Sequence, residues 1–393
     1  MDERVGLLAQ VSELRRGMKT ARSSVSQVEA GGSTSHQDLR SRLEREIAKR
    51  ERELEGLERK IRGRSGVKVC WRDLRRVREE DSLLYGECLA FVQGALIQKH
   101  GIDGGIQQIA DRLLEELSKR AGIPWGRLTV LADEEFTGYA AQIIRLRFPQ
   151  DSIWSLPIAA HEFGHFIGPE IVSDVREGRY RGKDNPFRTM VRREFSKQEQ
   201  QGAFLDEQFA DIFATYSLGP SYACVCIILK FDPESASADE FVHPRDVNRA
   251  FMIFETLREM QRSGPPAERF DTFLDPLERV WNQSLAAAGT SPPDGDTAAL
   301  LKKKVEKLFK LLESHLPASR YSSLTVARAL KSDLGAGGPS QSPLTASFSD
   351  LLNAAWLRRL EIGETKPELV EELGSRAMSA CQAVIKPRGN SSN

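Results

Sequence analysis

The strongest restriction on how this chain can fold is a repeating apolar pattern near its beginning. Between residues 3 and 29, apolar side chains recur at alternating spacings of four and three, at Leu7, Val11, Leu14, Met18, Ala21, Val25 and Val28. After a break at Gly31 and Gly32 the pattern resumes at Leu43, Ile47, Leu54, Leu57 and Ile61, and Arg50 interrupts it. This is the spacing of a coiled-coil seam, so each stretch is expected to be a helix paired with another helix. Two similar helices predict an antiparallel hairpin over residues 1–65, although one arm of an oligomeric coiled coil would show the same pattern.

The remainder divides at stretches rich in proline and glycine into a central domain, residues 70–262, and a helical C-terminal region, residues 263–393. Helical periodicity continues from 71 to 122, with predicted core positions that include Leu83, Leu84, Leu89, Phe91, Val92 and Leu96. Two β-like runs follow, at 127–131 and 140–148. The predicted fold class is therefore α+β and mostly α, with a small sheet. Residues 140–148 are either the strand that pairs with an extended substrate or an ordinary internal strand.

Two histidines with a glutamate between them carry the clearest chemical signal. His161 and His165 are four residues apart, so a helix places both on one face, where they can bind one metal ion. Glu162 would lie beside the open coordination position and act as the base that activates a water. Gly164 would leave space beside the ion. Uncharged flanking residues would bury this helix around a dry site, namely Ile158, Ala159, Ala160, Phe163, Phe166 and Ile167.

A catalytic zinc ion needs a third protein ligand, and a second helix around residues 204–214 offers one. Glu207 is the predicted ligand. Asp211 lies four residues later on the same helical face, where it can accept a hydrogen bond from the second ring nitrogen of a metal-binding histidine. Ala210, between them, would let the two helices approach closely. Asp211, Asp206 and Glu170 remain alternative oxygen ligands.

The pattern H-E-F-G-H at 161–165, followed by E-x-x-A-D at 207–211, resembles the gluzincin metallopeptidases. It is similar to that of the CAAX-prenyl-protease class and of the ImmA/IrrE-type bacterial peptidases. The resemblance covers roughly residues 125–260 and implies a zincin-like metallopeptidase core. It implies zinc held by His161, His165 and Glu207, with Glu162 as base and Asp211 behind the ligands. The membrane members of these families carry spanning helices, and no such segment is evident in this sequence.

His243 is a candidate for a second catalytic role, the stabilisation of negative charge on the reacting carbonyl oxygen. Tyr216, Tyr222 and Arg249 compete for the same role, and a surface histidine at a turn would fit the pattern equally well. Residues 176–202 are rich in basic side chains and separate the two metal helices. They are expected to form a mobile loop over the cleft, which could be a lid, a plug or a disordered insertion.

Composition narrows the setting in which the protein acts. Fifty-six basic residues balance 56 acidic ones, so neither nucleic acid nor a membrane surface is an expected partner. The five cysteines are scattered without a C-x-x-C pair, as is typical of reduced thiols in a reducing compartment. The apolar run at 223–229 is too short to cross a bilayer, and the first residues lack the apolar stretch of a signal peptide. We expect a cytoplasmic protein.

Together these patterns predict an intracellular zinc-dependent endopeptidase that cleaves a specific protein or peptide, and the architecture suggests a setting in bacterial stress or phage defence. The coiled coil would bind a protein partner or a second copy of the chain. Two alternatives stay open. One is a catalytically weak zinc-fold scaffold or sensor that acts through its coiled coil, and the other is a zinc hydrolase of a non-peptide amide.

Overall fold

A computed structural model describes residues 3–28, 34–63, 66–123, 129–132, 136–138, 143–147, 152–172, 202–234, 244–335, 346–363 and 366–385. The chain divides into two compact units. Unit 1 comprises Met1–Gln107 and Gly126–Pro149, and unit 2 comprises Gln108–Trp125 and Gln150–Asn393.

The elements of the first part of the chain are α1 (Glu3–Gln27), α2 (Thr34–Arg62), α3 (Val67–Lys99), α4 (Ile106–Ala121), β1 (Thr129–Ala132), β2 (Phe136–Gly138) and β3 (Ile143–Arg147). Those that follow are α5 (Ile158–Val172), α6 (Gly202–Leu218), α7 (Pro220–Val225), α8 (Asp246–Ser263), α9 (Asp271–Ala287), α10 (Gly295–His315), α11 (Leu324–Gly335), α12 (Phe348–Ile362) and α13 (Pro367–Ile385). A π-helical turn, Cys226–Lys230, follows α7 directly, and single 3-10 turns lie at Pro266–Glu268 and Pro317–Ser319. None of the helices in the described part of the chain is both long enough and apolar enough to span a bilayer.

The coiled-coil seam is paired within the chain. Helices α1 and α2 are antiparallel, since Arg4 near the start of α1 donates to the carbonyl of Ile61 near the end of α2 over 3.1 Å. Further along, Arg22 of α1 forms an ion pair with Glu51 of α2 at 2.6 Å. Helix α3 packs against both and completes a three-helix core. The hairpin arrangement that the sequence left open is therefore intramolecular.

The buried side of α3 follows its own heptad pattern, at Cys70, Leu74, Val77, Asp81, Leu84, Cys88 and Phe91. Of the core positions predicted for this helix, Leu84 and Phe91 are buried, but Leu83, Leu89 and Leu96 are each more than half exposed. The prediction was wrong for these three because Asp81 occupies a seam position, so the apolar residues alone do not show which face of the helix is buried. A search for leucines then selects residues on the opposite side of the helix.

Asp81 is the charged member of the α3 seam, and Arg50 of α2 occupies the interruption noted in the sequence. The Nε of Arg50 lies 4.0 Å from Oδ1 of Asp81, while its Nη1 donates to Glu53 and Glu80. Asp81 is fully buried, and neither of its carboxylate oxygens has a hydrogen-bond partner among the described residues. Burial raises the pKa of Asp81 to about 7, and the opposing charge of Arg50 only partly offsets that rise.

The sheet corrects the predicted fold class. Its strand order is β1-β3-β2, with β1 parallel and β2 antiparallel to β3. Strand β1 has four residues, β2 has three and β3 has five. The α+β prediction was wrong, because helices dominate the described residues and the fold is all-α in class. Alternation of apolar and polar residues at 140–148 predicts an extended segment, but it does not show how small a part of the core such a segment forms.

The predicted zincin-like core combined a small sheet with the metal helices, but these elements belong to different compact units. The strands belong to unit 1, with the three-helix core, whereas α5 and α6 belong to unit 2. Moreover, β3 is the central strand, paired on both sides. Substrate addition requires an unpaired edge, so β3 does not fit the predicted role of a substrate-binding strand. The internal-strand alternative describes it.

Unit 2 is built around α6, one of the most deeply buried helices of the chain. Helix α5 packs along α6, and α8 and α10 contact its other sides. Helices α11, α12 and α13 pack on one another and reach α7 through α12. From Leu205 to Leu218 every residue of α6 except Asp206 is buried, which fixes the orientation of the acidic side chains that it carries.

Candidate metal centre

Helix α5 carries the histidine pair as its sequence predicts. The helix begins at Ile158, directly after a short turn that ends in Pro157, and its flanking Ala159, Ala160 and Phe163 are buried. His161 is only 6% exposed. An apolar helix of this kind is stable only when it is packed on several sides, and that packing removes the histidines from bulk water.

The two helices that form the site meet at Gly164 and Ala210. A Cβ atom on Gly164 would lie 2.8 Å from the Cα of Ala210, a distance that would force the helices apart. Ala210 was predicted to allow a close approach, and the structure shows that contact. Gly164, by contrast, faces the neighbouring backbone rather than only leaving space beside an ion.

The close approach brings three potential metal ligands together. The Nε2 of His161 lies 3.3 Å from Oε2 of Glu207, and the Nε2 of His165 lies 3.4 Å from Oε1 of the same carboxylate. All three ligand atoms lie within 4.8 Å of one another. Two donors at about 2.0–2.1 Å from one tetrahedral ion are separated by about 3.3–3.4 Å. The two histidine–carboxylate distances match this spacing, so the three residues could hold a metal ion.

Behind the ligands, Asp211 is the centre of a buried hydrogen-bond network. Its Oδ1 lies 3.0 Å from Nδ1 of His161 and accepts a hydrogen bond of 2.6 Å from the hydroxyl of Tyr222. Arg249 donates from Nη2 to Oδ1 and from Nε to Oδ2, each over 2.8 Å. The guanidinium of Arg249 also lies over the ring of Phe231, 5.1 Å from its centroid. Asp211 thus joins three different helices, α5, α7 and α8, to α6.

The charges of this network shift the pKa values of its members. Burial alone would lower the pKa of His161, but hydrogen bonds to Asp211 and Glu207 outweigh burial and raise it to about 10. Burial lowers the pKa of His165, and the nearby charge of His161 adds to the effect. Burial would raise the pKa of Asp211, yet Arg249 holds it well below its usual range. Asp211 and Glu207, the two carboxylates beside the His161 ring, therefore stabilise positive charge at that ring.

The remaining predicted residues are placed as follows. Glu162 is buried on α5 between the two histidines, and its charge acts on His165. Asp206 is partly exposed beside Glu207, and only the backbone of Glu170 is described. His243 lies outside the described residues, as does all but the last residue of the predicted loop 176–202.

The competing candidates for stabilising a carbonyl oxygen have other contacts. The hydroxyl of Tyr216 donates to the carbonyl of Leu316 over 3.3 Å. Tyr222 binds Asp211 on the Nδ1 side of His161. Arg249 also binds Asp211, and its Nη2 lies 4.0 Å from Oε2 of Glu207. The hydroxyls of Tyr216 and Tyr222 are thus hydrogen-bonded to other groups, and the roles of Arg249 and His243 toward a carbonyl oxygen stay predictions.

Tyr222 and Arg249 were candidates from the sequence, but the sequence did not indicate that both donate to Asp211. Tyr222 reaches His161 because α6 ends at Leu218 and Gly219, with a φ of 69°, turns the chain into α7, which starts at Pro220. No spacing rule predicts that turn. One usable signal existed, since a carboxylate on so apolar a helix as α6 needs a cation and Arg249 lies among buried positions of α8.

The arrangement combines an open set of three ligands, a nearby carboxylate and a rigid support behind one histidine, which is what metal-assisted hydrolysis requires. Its ligands come from two helices held in contact by Gly164 and Ala210. Comparison with known proteins adds nothing to this geometry: no family model, curated protein or solved structure matches the chain.

Proposed function

We propose that this protein is a zinc-dependent endopeptidase that hydrolyses peptide bonds of a protein or peptide substrate. The observation that carries the proposal is the placement of His161, His165 and Glu207, whose ligand atoms lie within 4.8 Å of one another. The gluzincin resemblance of the same residues supports the choice of peptide hydrolysis. An intact Glu162 beside the histidines argues for catalysis rather than for a purely structural metal.

Each residue of the site has a separate role in the proposed hydrolysis. Zinc held there supplies positive charge that polarises a carbonyl group and promotes loss of a proton from water. Glu162 takes that proton on its carboxylate and delivers it to the nitrogen of the leaving amine. Asp211 keeps His161 oriented, and the buried flanks of α5 exclude bulk water from the reacting groups.

The proposed setting is the cytoplasm. All five cysteines are free and buried, namely Cys70, Cys88, Cys224, Cys226 and Cys381, which fits a reducing compartment. The substrate is the proposed partner of the site. Since the seam residues of α1 and α2 are used within the chain, a protein bound to this coil would contact other faces of these helices.

The proposal is tested with zinc-loaded protein and a peptide library prepared from a digested proteome, with new peptide termini identified by mass spectrometry. Wild-type protein is expected to produce new termini. Glu162→Gln should bind zinc within a few fold of wild type, yet cleave at least about 100-fold more slowly, because its amide cannot accept the proton.

Glu255→Gln is the matched control, since Glu255 is also a buried glutamate of unit 2 but pairs with Arg258. It should cleave like wild type. A zinc-loaded wild type that produces no new termini would contradict peptide hydrolysis and shift the weight to a scaffold role or to a non-peptide amide substrate. Equal cleavage by Glu162→Gln would remove Glu162 from the chemistry.

A further inference from the structure

We infer that Tyr222 is a positioning residue of the metal centre, whose hydroxyl holds Asp211 and His161 in the orientation that presents Nε2 to the metal. The inference rests on the proposed function, because it assigns a role toward the ion that His161, His165 and Glu207 would hold. It goes beyond the ligand set and its aspartate to a residue on a different helix, α7.

The geometry places the Tyr222 hydroxyl at the junction of both groups. It donates to Oδ1 of Asp211 over 2.6 Å and lies 3.0 Å from Nδ1 of His161. The Nδ1 of His161 is also 3.0 Å from the same Oδ1. Three polar atoms from three helices therefore form a closed triangle of contacts, each 3.0 Å or shorter. The rings of Tyr222 and His161 are nearly parallel, with an interplanar angle of 11°.

This triangle restricts the imidazole of His161 in two ways. With the hydroxyl proton directed to Asp211, Nδ1 of His161 keeps its own proton toward Oδ1 or the tyrosine oxygen, so Nε2 is the ring nitrogen that would offer its lone pair to a metal ion. The ring cannot rotate about its bond to Cβ without breaking both contacts. A ligand fixed in this way loses less orientational freedom when the metal binds.

Burial separates this role from a catalytic one. Tyr222 is 1% exposed, and its hydroxyl is on the Nδ1 side of the His161 ring, while Glu207 is on the Nε2 side. It therefore cannot touch a substrate at the metal. Arg249 contributes charge to Asp211 from another direction, but no hydrogen bond from Arg249 to His161 is found among the described residues.

The test measures the zinc affinity of the full-length protein by competition with a chromophoric chelator, with no need for a substrate. Tyr222→Phe removes one oxygen atom and is expected to bind zinc about 10- to 100-fold more weakly than wild type, the usual effect of losing a partner behind a metal ligand. Tyr216→Phe is the control, since Tyr216 is equally buried and its hydroxyl donates to the Leu316 carbonyl instead. Its affinity should stay within about threefold of wild type.

The outcomes separate this inference from the function on which it rests. If wild type takes up no zinc, both fail. If wild type binds zinc and Tyr222→Phe binds it equally well, only the positioning role is overturned. An equal loss in both phenylalanine variants would also overturn it, because the effect would then follow from removing any buried hydroxyl of this unit.

A second substitution keeps the question decidable if Tyr222→Phe does not fold. The amino acid 4-aminophenylalanine at position 222 retains the ring and a donor in place of the hydroxyl. It should bind zinc within about threefold of wild type if donation to Asp211 is what matters. A loss of tenfold or more in this variant, with its fold intact, would show that the donor is not the relevant feature.

Discussion

Asp211 in unit 2 and Asp81 in unit 1 are both buried carboxylates on helices, but their surroundings differ. Asp211 accepts two hydrogen bonds from Arg249 and one from Tyr222, and it lies beside His161. Asp81 has Arg50 at 4.0 Å and no hydrogen bond to either oxygen among the described residues. The pKa of Asp211 is accordingly held well below its usual range, whereas that of Asp81 is raised to about 7.

The difference shows that burial of a charged group does not by itself indicate a functional site. Around Asp211 every neighbour is oriented so that His161 presents one nitrogen to Glu207 and His165. Asp81, by contrast, has Arg50 at 4.0 Å and interrupts an otherwise apolar seam. Buried polar groups in coiled coils are best known for fixing register, at a cost in stability. We therefore expect opposite responses when each carboxylate loses its charge or its partner.

The largest expected effect comes from removing the cation beside Asp211, which leaves its carboxylate poorly paired, as that of Asp81 is. Arg249→Met removes the cation but keeps much of the side-chain volume, so a buried carboxylate loses its main partner. We expect unfolding of unit 2 to cost about 3 kcal/mol less, near the low end for a broken buried pair because Tyr222 and His161 still contact Asp211. Urea denaturation followed by circular dichroism measures the change.

The double variant Arg249→Met with Asp211→Asn is the control for this experiment. Removing the carboxylate charge should recover a large part of the lost stability, because no unpaired ion is left in the interior. If Arg249→Met alone costs less than about 1 kcal/mol, the network around Asp211 does not stabilise the fold in the way proposed.

A smaller effect of opposite sign is expected from completing the seam at Asp81. Asp81→Leu replaces a buried carboxylate, which has no hydrogen bond within the described part of the chain, by an apolar residue at a heptad position, while Arg50 keeps Glu53 and Glu80. The three-helix unit should gain about 1–3 kcal/mol, measured by hydrogen exchange of α3 peptides in urea. Asp73→Leu should change stability by less than about 0.5 kcal/mol, since Asp73 forms an ion pair with the exposed Lys60. Destabilisation by Asp81→Leu would mean that the aspartate is needed for the fold.

The smallest effect is a pH dependence specific to Asp81. Because its pKa is about 7 in the folded chain and about 4 when unfolded, its protonated form favours folding. The stability it contributes is fully present below pH 4, declines as the pH rises and is lost above about pH 7. The free energy of unfolding of wild type, measured relative to Asp81→Asn, should fall by on the order of 1–2 kcal/mol between pH 5 and 7 and should change little at higher pH. A constant difference across this range would contradict a raised pKa.

The predictions that succeeded depend on local spacing. A four-residue interval places His161 with His165 on α5 and Glu207 with Asp211 on α6, because both sets lie on regular helices. The hairpin of α1 and α2 follows from its seam in the same way. The close contact at Ala210 was also predictable, since a small residue between two ligands allows two helices to approach.

The predictions that failed depend on how elements are assembled. The class α+β overestimated a sheet of three short strands, and local alternation could not show that β3 is central or that it belongs to unit 1. The seam of α3 was missed because Asp81 breaks its apolar pattern. The meeting of Tyr222 and Arg249 at Asp211 was not predicted, since it requires the turn at Gly219 and the packing of α8 on α6.

The most direct test of the account is the metal content of the purified chain, measured by elemental mass spectrometry without added metal or chelator. The same measurement on Glu207→Gln supplies the comparison, because its amide is a poor ligand in the same position. We predict about one zinc per chain in wild type and little in the variant. Wild-type protein that contains no zinc and takes up none when it is added would contradict the central claim.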